Sequence, residues 1–97
     1  MVEITREDSA TKGRYVARVP GYPDAGELTI SKLGSNTVSA DHTGVLESLR
    51  GQGIALALVE RLVADARAEG FRIVPLCPYI RAQLRRHPEW ADVVWGQ

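Results

Sequence analysis

The sequence contains a single cysteine, Cys77, so no disulfide can form within the chain. Disulfide-stabilised secreted domains usually carry an even number of cysteines, and we therefore expect a reducing, cytoplasmic location. No apolar run approaches the ~20 residues that a membrane-spanning helix needs. The first residues also lack the charged segment followed by an apolar one that is typical of signal peptides. These absences predict a protein that neither crosses a membrane nor is exported.

An excess of charge of either sign is also missing. The 12 Lys and Arg residues balance the 12 Asp and Glu residues, which gives a formal net charge of +0. A domain that binds nucleic acid normally presents a basic face, so this balance argues against nucleic acid as the main partner. The length of 97 residues predicts one domain, residues 1–97, with a small hydrophobic core. A monomer and a homodimer are both compatible with such a core.

The first half of the chain alternates between apolar and polar residues, which predicts strands at 2–8, 13–19, 27–33 and 37–45. The pattern is clearest at 13–19, where Tyr15, Ala17 and Val19 share one face. Gly34-Ser35-Asn36 is typical of a tight turn, so the last two strands should form a hairpin.

The second half begins with a strong helical pattern over 54–69, in which Ile54, Leu58, Leu62 and Ala66 form one apolar stripe. It is followed by a short apolar strand at 71–77, a helix at 79–86 for which Pro78 can supply the N1 position, and a turn at 88–92. A strand, a helix and a further strand in this order imply a parallel crossover. The fold class expected is therefore α/β (α+β), a mixed, mostly antiparallel twisted sheet with a central βαβ unit.

The segment 45–55 joins a predicted strand directly to the N-terminus of the long helix, and it contains Gly51 and Gly53. This arrangement directs unpaired backbone N–H groups and the positive end of the helix dipole to one place, which suits a phosphate group. The segment lacks the Gly-Lys-Ser/Thr of a Walker loop and the third glycine of a dinucleotide fingerprint. A phosphate site and a glycine-rich turn that only caps the helix are both compatible with it.

Pro75 lies inside the predicted strand 71–77, where it cannot donate a ladder hydrogen bond. The strand is therefore either a simple edge strand or one that pairs only over its first residues and then separates from its parallel neighbour at 37–45. Separation would open a gap lined by unpaired backbone groups.

Four short pieces of the sequence together resemble the smallest branch of the GNAT superfamily of N-acetyltransferases. The acyl-CoA pyrophosphate loop of that superfamily reads Gln or Arg, two variable residues, Gly, one variable residue, then Gly or Ala. The matching pieces are Arg50-Gly51-Gln52-Gly53-Ile54-Ala55, His42-Thr43-x-Val45, Pro75-Leu76-Cys77-Pro78-Tyr79 and His87-Pro88-Glu89-Trp90. The resemblance implies a truncated GNAT fold and acetyl-CoA as the cosubstrate. It also implies that loop 50–55 binds the CoA pyrophosphate, while the backbone of Val45 pairs with pantetheine.

Acetyl transfer to an amine needs a base for the amine proton and an acid for the leaving thiolate. The resemblance implicates Cys77 as an acetyl acceptor or as a group beside the thioester, although a buried cysteine is often only a small apolar residue. His42, at the end of the neighbouring strand, is a candidate base for Cys77, or a histidine that merely bonds to the backbone. Tyr79 is a candidate acid, or a packed aromatic side chain.

The sequence thus predicts an acetyl-CoA-dependent N-acetyltransferase that acts on a small-molecule amine or on a protein lysine. The alternatives are a CoA-binding or protein-interaction module without catalysis, and a nucleotide-phosphate binder unrelated to CoA. The histidines and the cysteine are isolated, without the paired spacing of metal ligands, so no metal is expected.

Overall fold

The computed structural model describes residues 2–34, 36–49 and 51–96. In these ranges the elements are, in chain order, β1 (Glu3–Asp8), β2 (Lys12–Arg18), β3 (Ala25–Gly34), β4 (Thr37–Gly44), α1 (Ile54–Glu69), β5 (Arg72–Pro75) and α2 (Pro78–Arg86). Short 3₁₀ turns at Glu47–Leu49 and Pro88–Val93 precede α1 and follow α2. Within these ranges, no helix is both long and apolar enough to cross a membrane.

The five strands form one sheet in the order β1-β2-β3-β4-β5. The first four strands pair antiparallel, and β4 and β5 pair parallel across the α1 crossover. The predicted hairpin between β3 and β4 and the predicted βαβ unit are therefore confirmed, as is the mixed, mostly antiparallel sheet.

The hydrophobic core lies between the sheet and the two helices. The predicted stripe of α1, which is Ile54, Leu58, Leu62 and Ala66, is buried along its whole length. Because side chains alternate across a strand, every second residue of β2 and β3 meets this stripe, and Tyr15, Ala17, Leu28 and Ile30 are fully buried there. Ile80 and Leu84 of α2 and Trp90 and Val93 of the last turn complete the same core.

Strand β5 is shorter than predicted, because it ends at Pro75 instead of residue 77. The N–H groups of Leu76 and Cys77 both donate to the carbonyl of Ala40, at 3.1 and 2.9 Å, and the chain then turns into α2 with Cys77 as its N-cap. On its other side β5 is only partly covered, since Ile73 pairs with Val94 in a single bridge. The expected early end of pairing is confirmed, and β5 also lies at the sheet edge.

A β-bulge interrupts the pairing of β3 and β4. Thr29 pairs with His42 and Ile30 pairs with Ala40, so Asp41 is an extra residue on β4. The bulge inverts the alternation of side chains in the last part of β4. His42 consequently shares the open face of the sheet with Thr29, whereas Thr43, which pairs with Leu28, faces the core and the helices.

Candidate functional site

A cavity of about 420 Å³ lies where the end of β4, the N-terminus of α1 and the start of α2 meet. Six of the residues singled out from the sequence line it. Its lining consists of Thr43, Val45, Leu49, Gly51, Gly53, Ile54, Ala55, Leu56 and Tyr79. The fold thus brings the glycine-rich loop and the Tyr79 region, which are distant in sequence, to one place. Arg50 lies outside the described residues.

The N-terminus of α1 directs uncompensated backbone donors into this cavity. The first helical hydrogen bond runs from the N–H of Ala57 to the carbonyl of Gly53, at 3.0 Å, so the N–H groups of Ile54, Ala55 and Leu56 have no acceptor within the helix. Among the described residues no side chain caps the helix at Gly53, and its first turn contains no acidic residue. The positive end of the helix dipole is therefore available to an anion.

Gly51 and Gly53 adopt left-handed backbone conformations, with φ of 83° and 71°. A side chain at either position would be strained, since L-residues rarely adopt such angles. In the described part of the chain, apart from each glycine and its two chain neighbours, no atom lies within 4 Å of where a Cβ would be. The space in front of the helix N-terminus is therefore wide enough for a phosphate to approach the backbone.

Pairing between β4 and β5 ends before Cys77 and before the end of β4. The last parallel pair is Ala40 and Pro75, while β4 continues through Gly44, where it pairs with β3 on one side. Beyond Ala40, within the described residues, no strand pairs with the other edge of β4. Val45, which follows the strand and is half-buried, continues this edge into the cavity.

The thiol of Cys77 is almost completely buried at the N-terminus of α2 and lies 3.7 Å from the hydroxyl of Thr43. Burial opposes ionisation of the thiol. The effect of burial is outweighed by hydrogen bonds to the sulfur, which come from the backbone of Ile80, the hydroxyl of Thr43 and the backbone groups of Tyr79 and Thr43. These bonds hold the pKa of Cys77 below its usual value. Thr43 is thus a member of the site to which sequence reasoning gave no role, although it stood in a matched piece.

His42 lies on the other face of the sheet from Cys77, so the expected contact between the two side chains is not formed. The imidazole is exposed, and its Nε2 atom lies 3.1 Å from the point where a Cβ of Gly44 would be. The bulge at Asp41 is the physical reason, because it places His42 outward and Thr43 inward. The hydroxyl of Thr43 takes the position beside the thiol that was expected for the imidazole.

Tyr79, two residues after Cys77, is half-buried and lines the cavity. Burial raises the pKa of Tyr79, and the nearby charge of Arg86 opposes the shift only in part. The phenol therefore keeps its proton at neutral pH and can donate it. Gln52 is exposed, and its side-chain amide donates to the hydroxyl of Tyr22 at 3.4 Å.

A second cavity, of about 410 Å³, lies on the open face of the sheet. Its charged walls are paired with one another: Arg14 bonds to Glu7 and Glu27, and Asp41 accepts from Ser31 and Ser39. Since these charged groups already bond to one another, this cavity offers a ligand fewer free hydrogen-bonding groups than the uncapped helix N-terminus does.

Comparison with known proteins shows a family and related sequences. Residues 14–93 match the family model described as GCN5-related N-acetyl-transferase. The protein NATD1 of Xenopus tropicalis is 27% identical over 85 residues, which are 88% of this chain and 78% of NATD1.

Two solved structures share the fold. The solution structure of a GCN5-like protein from Staphylococcus aureus superposes with a TM-score of 0.71 at 25% identity, covering 96% of this chain and 89% of that one. A GNAT family acetyltransferase from Elizabethkingia anophelis, solved with acetyl-CoA bound, gives a TM-score of 0.66 at 13% identity and covers 92% of this chain and 74% of that one. The expected truncated GNAT fold is confirmed.

Proposed function

Because the chain belongs to the family of GCN5-related N-acetyltransferases, we propose that it binds acetyl-CoA in the cavity at the N-terminus of α1 and transfers the acetyl group to an amine. The uncapped helix N-terminus, which opens into a cavity bordered by Gly51 and Gly53, is the observation that supports this proposal most. Acetyl-CoA supplies an activated acetyl thioester. The acceptor is a small-molecule amine or a protein lysine.

Different residues around the cavity bind different parts of CoA. In the proposal, loop 50–55 holds the pyrophosphate with backbone N–H groups, because these donors and the helix dipole favour an anion. The free edge of β4 at Val45 offers backbone hydrogen bonds to pantetheine. Both contacts fix the thioester and would contribute to catalysis by orienting it.

The chemistry releases the CoA thiol and removes one proton from the amine. Tyr79 keeps its proton at neutral pH and is the proposed acid for the leaving thiolate. Cys77, with its lowered pKa, and Thr43 lie on the helix side of β4, whereas His42 lies on the open face. His42 is therefore proposed as a base for an amine that arrives from the open face, and no longer as the base for Cys77.

Calorimetric titration with CoA and acetyl-CoA tests the binding site. We expect wild type to bind both and Gly53→Trp to lose binding, because the new side chain would fill the space in front of the helix N-terminus. Gly70→Trp is the matched control: Gly70 has a φ of 76° against 71° for Gly53, open space in place of a Cβ, and a position at the opposite end of α1. It imposes the same strain away from the cavity and should bind CoA normally.

The same titration separates the rival functions. Failure of wild type to bind CoA would eliminate the proposal, and equal competition by ATP would favour a general nucleotide-phosphate site. If CoA binds, the release of its thiol from acetyl-CoA is then measured with spermidine and with polylysine. Binding without any acceptor-dependent release would favour the non-catalytic CoA-binding module.

A further inference from the structure

Segment 22–26, whose last two residues begin β3, makes a contact through every second residue: with the turn at Ser48, with the glycine-rich loop at Gln52 and with the start of α1. The side-chain amide of Gln52 donates to the hydroxyl of Tyr22 at 3.4 Å, and the hydroxyl of Ser48 donates to the carboxylate of Asp24 at 2.7 Å. The third contact is made by Gly26, which packs against the first turn of α1. The segment is distant from the loop in sequence, so these contacts exist only in the folded chain.

The contact at Gly26 is the tightest of the three. A Cβ built on Gly26 would lie 2.7 Å from Cγ2 of Ile54 and 3.3 Å from Cγ2 of Val45. Only a residue without a side chain allows β3 to approach Ile54, the first residue of α1, this closely. The start of β3 therefore packs directly against the start of α1, where the backbone donors of the proposed phosphate site lie.

Asp24, which bonds to the turn before the loop, has a charge of the wrong sign to attract an anion to the loop. A carboxylate near a bound pyrophosphate should repel it and weaken binding, by an amount that salt screening reduces. Its observed bond goes to Ser48, which lies in the short turn that leads into the loop. A structural benefit at Ser48 explains the position of Asp24, and electrostatic attraction of the ligand does not.

We propose that segment 22–26 is a positioning element that holds Ser48, Gln52 and the start of α1 in their binding conformation before CoA arrives. The inference rests on the proposed use of this loop for CoA. Its energetic basis is preorganisation: a loop that is already ordered loses less conformational entropy when the ligand binds. Tyr22, Asp24 and Gly26 act on affinity through the loop and do not touch the ligand.

The hydrogen bond between Asp24 and Ser48 offers a test in which two explanations predict opposite signs. Asp24→Ala removes both the charge and the acceptor, so positioning predicts a CoA dissociation constant raised about tenfold. Asp24→Asn removes the charge but keeps an oxygen that can accept from Ser48, so binding should equal that of wild type or become tighter. Repulsion alone predicts tighter binding for both variants.

Three further measurements complete the experiment. Ser48→Ala should weaken binding like Asp24→Ala, and the double variant should be no weaker than either single one, since all three lack the same bond. Asp92→Ala, which removes the ion pair with Arg67 in the last turn of α1, is the control and should bind as wild type. In the free protein, the amides of Gly51 and Gly53 should exchange faster in Asp24→Ala than in Asp24→Asn.

Each outcome decides between the alternatives. Weaker binding for Asp24→Ala with rescue by Asp24→Asn supports the inference. Unchanged or tighter binding for Asp24→Ala overturns it while leaving the proposed CoA site intact. If wild type fails to bind CoA, the proposed function is wrong; the amide exchange of the free protein then still shows whether the segment orders the loop.

Discussion

The side chain of Thr43 lies between the proposed CoA cavity and the thiol of Cys77, and its hydroxyl is one of the groups that lower the pKa of Cys77. Thr43→Val keeps the shape of the side chain but removes this donor. We therefore expect the pKa of Cys77 to rise, which leaves less thiolate at neutral pH. The rate of alkylation by iodoacetamide, measured against pH, should fall at pH 7 and recover at more alkaline pH.

Thr43→Ser is the matched variant, because it retains the hydroxyl and should alkylate like wild type. Superimposable pH profiles for wild type and Thr43→Val would show that the hydroxyl does not stabilise the thiolate.

In the same series, Cys77→Ala should bind CoA normally but lose acetyl transfer if the thiol takes part in the chemistry.

Single residues were the hardest part of the site to predict from the sequence. An unbroken alternation from Val38 and Ala40 would place His42 on the core face, towards Cys77. The extra residue at Asp41 inverts the alternation, and no local pattern in the sequence indicates this bulge. The same inversion brings Thr43 to the thiol, which is why its contact with Cys77 could not be foreseen.

The N-terminus of α1 allows a prediction at the level of the helix, because binding and stability should change in opposite directions. Ala55→Glu puts a carboxylate into the first turn, which has no acidic residue. It should stabilise the helix by about 0.3–1 kcal/mol through the dipole. The same carboxylate would occupy or repel the site of the pyrophosphate, so the CoA dissociation constant should rise at least about tenfold.

Urea unfolding and calorimetry on the same preparation check both parts of this prediction. Ala64→Glu is the control, since it makes the same change of charge at an exposed position in the middle of α1. It should leave CoA affinity unchanged. Normal CoA binding by Ala55→Glu would exclude the helix N-terminus as the anion site.

The sequence predicted α1 with its observed bounds, because an apolar stripe and two flanking glycines mark a helix from both ends. Strand β5, in contrast, was predicted too long, because its bounds were taken from hydrophobicity alone. The apolar run 71–77 indicates which residues are apolar enough to be buried. The strand itself ends at Pro75, where the N–H groups of Leu76 and Cys77 both donate to the carbonyl of Ala40. Hydrogen bonding of this kind is not encoded in hydrophobicity.

Across the whole molecule, edge strand β1 is held to α1 by a partly buried polar cluster. The guanidinium of Arg6 bonds to Asp65 and Glu69 of α1 and lies over the ring of Tyr15, whose hydroxyl donates to Asp65 at 2.8 Å. These residues come from three elements. Each hydrogen bond between a strand and α1 in this cluster joins residues that are 50 or more positions apart in the sequence. The order of the elements could be predicted, but such pairings depend on the assembled fold.

Tyr15 makes the stability of the folded chain depend on alkaline pH. Burial raises the pKa of Tyr15, the hydrogen bond to Asp65 acts in the same direction, and Arg6 opposes both. The folded state therefore favours the neutral phenol. The resulting stabilisation is complete below the unfolded pKa of about 10 and is lost as the pH rises towards the folded pKa. Tyr79 acts in the same direction and Cys77, whose pKa is lowered, in the opposite one.

Tyr15→Phe should therefore change the dependence of stability on pH as well as its level. At neutral pH we expect a loss of about 1 kcal/mol, because Asp65 loses one donor. Above about pH 10, wild type should lose up to about 1.4 kcal/mol per pH unit through this group, and the variant should lose correspondingly less. Urea unfolding at a series of pH values measures both. Tyr22→Phe, at a residue that is 41% exposed, is the control and should keep the wild-type slope. Equal slopes for wild type and Tyr15→Phe would show that the phenol is not held neutral by the packing of β2 against α1.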